Sequence, residues 1–333
     1  MDHSNTLQQT IELLVNKDPN RGLLAADESI GTIKKRFDTI GVENTEENRQ
    51  LYRELLLTTP DFEKYICGVI LFDETLGHST RDGKKFLDLL KEKEVVAGIK
   101  VDEGLTPMEE NSPEQLTKGL DTLNERCEKY FQMGCRFAKW RAVFKVSQDG
   151  LYPSQENIER NTHDLAMYGK ICQNNGIVPV IEPEVLMEGD FTMARYAEAT
   201  ETILKSLYKF CAELNVELKH TILKTNMIVP STQSKEYMNS TRVAVYTYRI
   251  LKSAVPTEVP SIMFLSGGQS EDDAADNLSL MRSIYENDLP WHLSFSYGRA
   301  LQHTCLQNWA GRNENWSLAQ RAFAYQAEIC YLA

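Results

Sequence analysis

Two periods organise the polarity of this chain. Short runs that are apolar or β-branched at nearly every position recur at 22–27, 66–71, 95–101, 137–143, 177–181, 221–228, 261–265 and 292–295. Runs of this kind read as strands buried on both faces, the habit of parallel sheets covered by helices. Between them the apolar residues fall at helical spacing, as over 6–15, 45–57, 157–174 and 191–214. Several helix starts are legible. Thr45 precedes Glu46 and Glu47, an N-cap followed by acids in the first turn. Ser112-Pro113-Glu114-Gln115 predicts another start, with a capping serine, a proline at the first helical position and a capping-box glutamine. Ser270-Glu271-Asp272-Asp273 is a third box, and Gly176 closes the helix of 157–174.

Eight strands alternating with helices predict an α/β fold, a (β/α)8 TIM barrel with an additional N-terminal helix over 6–15. The alternative is an open doubly wound sheet, but no GxGxxG follows any strand. No linker, repeat or low-complexity tract interrupts the chain, so 1–333 reads as a single barrel domain.

Composition narrows the partners. A net charge of -12 argues against nucleic acid and anionic membranes. It leaves room for a small anionic substrate in a local basic pocket. The seven cysteines form no CxxC pair and sit mostly in apolar periodic segments, as reduced core thiols do. No basic stretch followed by an apolar one opens the chain, and no apolar run nears the roughly 18 residues of a membrane span. The expectation is a cytoplasmic protein.

Chemistry concentrates at the strand ends. Lys224 sits inside the apolar run 221–229. A buried ammonium is costly, burial favours the neutral amine, and a neutral amine attacks carbonyl carbons. The plainer alternative is a lysine that snorkels from the strand or pairs with a carboxylate. Other strands carry Asp27, Lys100 with Asp102, Lys139 with Arg141, and Glu182 with Glu184. Members of each pair are two apart, so both face the same side of the sheet. In a barrel the active site lies at the C-terminal strand ends, and phosphates often sit after strands seven and eight. There the chain carries Ser266-Gly267-Gly268-Gln269-Ser270 before a helix start, and Gly298-Arg299.

Taken together, LLAADES ending at Ser29, GIKVD ending at Asp102, FAKWR ending at Arg141, IEPE ending at Glu184, Leu223-Lys224, LSGGQS ending at Ser270 and FSYGR ending at Arg299 resemble class I fructose-1,6-bisphosphate aldolase. The likeness runs in order from about Gly22 to Trp309. It implies a homotetramer of barrels with no metal and no organic cofactor. It also implies reversible cleavage of fructose 1,6-bisphosphate into dihydroxyacetone phosphate and glyceraldehyde 3-phosphate. By this resemblance Lys224 forms the Schiff base and Glu182 is the acid/base for making and losing it. Asp27 takes the C4 hydroxyl proton, while Lys139 and Glu184 hold the charge network. Ser266, Gly267, Gly268 and Arg299, with Gly298 beside them, would hold one phosphate. Ser29, Thr32, Arg36 and Lys100 would hold the other, with Arg141 also among the binding residues.

The chain departs from the family pattern in places. Thr225 follows the Schiff-base lysine where animal members have proline, and Thr32 stands where many have serine. The chain stops at Ala333, whereas many eukaryotic members continue into a flexible tail ending in tyrosine. Enamine protonation without a mobile terminal tyrosine is therefore expected, with Tyr331 a packing residue. Three other readings are an isomerase on the same kind of site, an aldolase preferring another ketose phosphate such as sedoheptulose 1,7-bisphosphate, and a non-catalytic scaffold. An isomerase needs no imine, and a scaffold needs no charges facing the barrel interior.

Overall fold

The computed structural model describes residues 3–285 and 288–333. Among these, eight parallel strands close into a barrel: β1 (Gly22–Ala26), β2 (Ile66–Leu71), β3 (Val96–Lys100), β6 (Phe137–Phe144), β7 (Val178–Val185), β8 (Ile222–Thr225), β9 (Ser261–Phe264) and β10 (His292–Tyr297). A short antiparallel hairpin, β4 (Leu105–Pro107) and β5 (Gln115–Thr117), interrupts the series after β3. The helices are α1 (Ser4–Ile11), α2 (Ile30–Asp38), α3 (Glu46–Leu57), α4 (Phe86–Glu92), α5 (Leu123–Met133), α6 (Gln155–Asn174), α7 (Met193–Glu213), α8 (Ser240–Ala254), α9 (Glu271–Tyr285), α10 (Arg299–Trp309) and α11 (Trp316–Leu332).

Alternation along each strand builds two cores. Leu23, Ala25, Phe137, Val178, Val180, Ile222 and Met263 belong to the inner cluster. Leu24, Ala26, Ala138, Trp140, Ile181 and Leu223 belong to the outer cluster under the helices. Trp140 stacks on Tyr168 of α6 with ring centroids 5.6 Å apart. Burying rings of this size removes roughly 150–250 Å² each from water, worth about 4–6 kcal/mol at ~25 cal/mol per Å². Leu7 and Ile11 of α1, with Leu14 and Val15 of the π turn that follows, join the inner cluster and seal the N-terminal end of the barrel. Gly98 makes room inside: a Cβ there would lie 2.2 Å from the Phe137 ring.

Inward positions change character along the strands. Phe137 is followed, two and four residues on, by Lys139 and Arg141; Val178 and Val180 by Glu182 and Glu184; Ile222 by Lys224. The apolar half closes the base, and the charged half opens at the C-terminal end.

One expected helix start is corrected. The residues around Ser112 form the turn of the β4–β5 hairpin, where the Ser112 hydroxyl accepts the Glu114 N–H at 3.1 Å and Gln115 pairs with Pro107. Serine and proline suit a turn as well as a cap, and helical apolar spacing begins only at Leu123, where α5 starts. The hairpin braces the site, because the Thr117 hydroxyl donates to the Arg141 carbonyl at 2.8 Å. The other two caps form as expected. Thr45 accepts the Asn48 N–H, and Ser270 accepts the Asp273 N–H at 3.0 Å.

Candidate active site

The C-terminal strand ends surround a cleft of about 660 Å³, within the ~300–1,000 Å³ of small-molecule sites. Every site residue expected from the sequence lines it: Asp27, Ser29, Thr32, Arg36, Lys100, Lys139, Arg141, Glu182, Glu184, Lys224, Ser266, Gly267, Gly268, Gly298 and Arg299.

At the floor, Glu182 joins two lysines. Its Oε1 is 3.2 Å from Nζ of Lys224, and its Oε2 is 3.0 Å from Nζ of Lys139. All three side chains are buried, the two lysines by their inward positions on β8 and β6. Lys139 also reaches Asp27 Oδ2 at 3.1 Å and Asp102 Oδ2 at 4.0 Å. Burial alone would lower the Lys139 pKa, but the charges of Asp27, Glu182 and Asp102 outweigh it and hold the group well above its ordinary value. Lys139 is therefore a fixed cation. Burial alone would raise the Asp27 pKa, yet Lys139, Lys224 and Lys100 together bring it down to about 2. Asp27 stays an ionised acceptor at neutral pH.

Above this layer Arg141 pairs with Glu184, and that carboxylate keeps the guanidinium pKa above its usual range despite burial. Lys100 pairs with Asp102 at 2.6 Å, and Asp102 also accepts the Arg141 backbone N–H at 3.3 Å. Asn226, just past β8, accepts the Val185 N–H at 3.1 Å and ties the end of β7 to the strand that carries Lys224.

Two sides of the cleft favour anions. After β9, Gly267 and Gly268 turn the chain with φ +48 and +94, and α10 begins at Arg299 after β10. After β1, Ser29 caps α2 by accepting the Thr32 N–H at 3.3 Å, and Arg36 reaches back from the same helix. A helix start attracts phosphate, and a cation lining the same cleft adds to that attraction.

Sequence reasoning left several lining residues unassigned. Glu28, next to Asp27, is buried between Arg36 and Arg53. Ser296 lines the cleft from β10, and alternation from Ser294 marks it as inward. Gln302 of α10 donates to the Ala25 carbonyl at 2.7 Å. Elsewhere Glu46, Glu74 and His78 bring ligand atoms within 4.8 Å of one another, a grouping that spacing along the chain did not disclose. Arg49 already holds Glu74 there through two contacts.

Known proteins carry the same frame. A cytosolic fructose-bisphosphate aldolase of Arabidopsis thaliana is 46% identical over 324 residues, spanning 96% of this chain and 82% of that one. The cytoplasmic isozyme of Spinacia oleracea is 47% identical over 321 residues, 95% of this chain and 89% of that one. A solved structure of fructose-bisphosphate aldolase from Plasmodium falciparum, in complex with TRAP and a small molecule inhibitor, superposes with a TM-score of 0.96. It is 40% identical, and the match covers 99% of this chain and 94% of that one. The family described as fructose-bisphosphate aldolase class-I matches residues 6–333, and the chain belongs to the class I fructose-bisphosphate aldolase family.

Proposed function

We propose that residues 1–333 work as one barrel domain that cleaves fructose 1,6-bisphosphate reversibly, with the cleft residues dividing the steps as follows. The observation that carries the reading is Lys224, a lysine at an inward position of an apolar strand with its Nζ on Glu182. Its neutral amine adds to the C2 carbonyl of the open-chain ketose, forming a C–N bond as the carbonyl oxygen takes a proton. Glu182 donates the proton with which that oxygen leaves as water. The cationic C=N that results draws electrons from the C3–C4 bond.

Asp27 accepts the C4 hydroxyl proton. The C4 oxygen becomes a carbonyl, the C3–C4 bond breaks, and its electron pair moves onto the enamine. Glyceraldehyde 3-phosphate departs. Protonation at C3 restores the imine, and water releases dihydroxyacetone phosphate from Lys224. Lys139 remains an ammonium throughout and stabilises the carboxylates on either side.

The two anion sides suit the two phosphates. C1 adjoins the carbon that must meet Lys224, and β9 is the neighbour of β8, so the 266–268 loop with Arg299 takes the C1 phosphate. Ser29, Thr32, Arg36 and Lys100 take the C6 phosphate, with Arg141 and Gly298 between. In keeping with the family and with relatives named cytosolic, the working form is a homotetramer in the cytosol.

Reduction with borohydride in the presence of dihydroxyacetone phosphate tests the reading. A stable mass addition is expected on the peptide containing Lys224. Labelling confined to Lys100 or Lys139 would overturn it.

A further inference from the structure

Beneath the C6-phosphate side lies a charge cluster that the reaction steps do not use. One carboxylate, Glu28, faces two guanidiniums. Its Oε1 meets Nη1 of Arg36, and its Oε2 is 2.6 Å from Nη2 of Arg53. The Glu28 and Arg53 side chains are each 4% exposed, whereas Arg36 is 24% exposed and lines the cleft. Arg53 comes from α3, with its guanidinium 5.7 Å from the Tyr52 ring centroid, and it does not line the cleft. A buried cation that never meets the ligand is costly to keep.

Geometry gives it a purpose. A free carboxylate and an arginine prefer a two-pronged contact that engages both oxygens and two nitrogens. Arg53 occupies Oε2, so Arg36 engages Glu28 through Nη1 while its Nη2 lies against Gly298. A Cβ added at Gly298 would be 3.3 Å from that nitrogen. Two arginines against one carboxylate also leave the cluster one negative charge short of balance. An anion arriving at Arg36 supplies it.

We propose that Arg53 is a positioning residue for bisphosphate selectivity. Through Glu28 it keeps Arg36 turned to the cleft, with its charge unspent until the second phosphate binds. This rests on the reading that Arg36 takes the C6 phosphate. The selectivity for fructose 1,6-bisphosphate over fructose 1-phosphate, which lacks that group, is then set partly by a side chain that touches neither.

Steady-state kinetics on the two ketoses test it, using Arg53→Met, Arg53→Gln, Arg53→Lys and Arg36→Ala. Arg53→Met should raise KM for fructose 1,6-bisphosphate tenfold or more with little change in kcat. Its kcat/KM for fructose 1-phosphate should stay within twofold of the parent. Arg53→Lys, which restores one cation, should bring KM back to within threefold. Arg53→Gln carries the same expectation as Arg53→Met if the methionine variant does not fold by circular dichroism. Equal losses on both substrates, or no change on either, would overturn the proposal. Arg36→Ala separates the two levels. If it collapses the preference while the Arg53 variants do not, the positioning role alone fails. If it leaves the preference intact, Arg36 does not take the phosphate and both readings fail.

Discussion

Oε1 of Glu182 lies 3.2 Å from Nζ of Lys224 while its other oxygen rests on Lys139 at 3.0 Å. On the proposed reading one acid serves the reactive amine and is itself oriented by a fixed cation. Glu182→Gln keeps the shape of this bridge and removes the proton donor. Imine formation should slow by about 10²–10⁴-fold, the usual contribution of a general acid or base. Rapid-quench trapping with borohydride measures this directly, and an unchanged trapping rate would remove Glu182 from that step.

In the proposed sequence of steps Asp27 acts later, at the carbon–carbon bond. Asp27→Asn should still accumulate a trappable imine with fructose 1,6-bisphosphate. Cleavage should drop by about 10²–10⁴-fold, because no group accepts the C4 proton. Release of glyceraldehyde 3-phosphate at the parent rate would refute the assignment.

The same residue sets a pH dependence of stability. Asp27 has a folded pKa of about 2 against an ordinary 3.8: burial opposes the shift, and Lys139, Lys224 and Lys100 override it. A carboxylate depressed on folding stabilises above its unfolded pKa, and that gain is lost as pH falls toward the folded one. The contribution is on the order of 2 kcal/mol. Urea unfolding of the parent and of Asp27→Asn should therefore converge between about pH 4 and pH 2. A gap that stays constant across that range would contradict the shift.

How far the sequence reaches can be judged from particular residues. Lys139, Arg141, Glu182 and Glu184 were readable because period-two alternation fixes the face of a strand residue from its neighbours. All four face the interior, as the pairing of β6 with β7 requires. The Ser112 turn was misread because caps and turns draw on the same residues. Glu28 escaped because alternation from Asp27 turns it away from the interior. Its partners Arg36 and Arg53 lie on separate helices, and only tertiary packing brings them to it. The convergence of Glu46, Glu74 and His78 was hidden for the same reason.

The loop after β9 offers a backbone test. Gly268 has φ +94, and a Cβ there would lie 2.7 Å from Sδ of Met187. Placing an L-residue in the left-handed region costs roughly 1–2 kcal/mol, before any movement of Met187 is counted. Gly268→Ala should weaken binding of dihydroxyacetone phosphate by about tenfold, the equivalent of ~1.4 kcal/mol. Competition against fructose 1,6-bisphosphate reads this out, and unchanged inhibition would show that the loop does not contact phosphate.

Tyr331 separates packing from chemistry. It lies in α11, its hydroxyl is 3.2 Å from Oδ2 of Asp18, and its ring centroid is 5.6 Å from that of Tyr65. Asp18 precedes the start of β1, so these contacts fasten Tyr331 at the N-terminal end of the barrel. The cleft opens at the opposite end. In this position the phenol cannot deliver a proton to the enamine carbon. Tyr331→Phe should cost about 0.5–1.5 kcal/mol of stability, the net worth of one hydrogen bond. It should leave both cleavage and proton exchange at C3 of dihydroxyacetone phosphate unchanged. A tenfold loss of exchange, with unfolding otherwise as in the parent, would mean that α11 releases Asp18 and carries Tyr331 to the mouth during turnover.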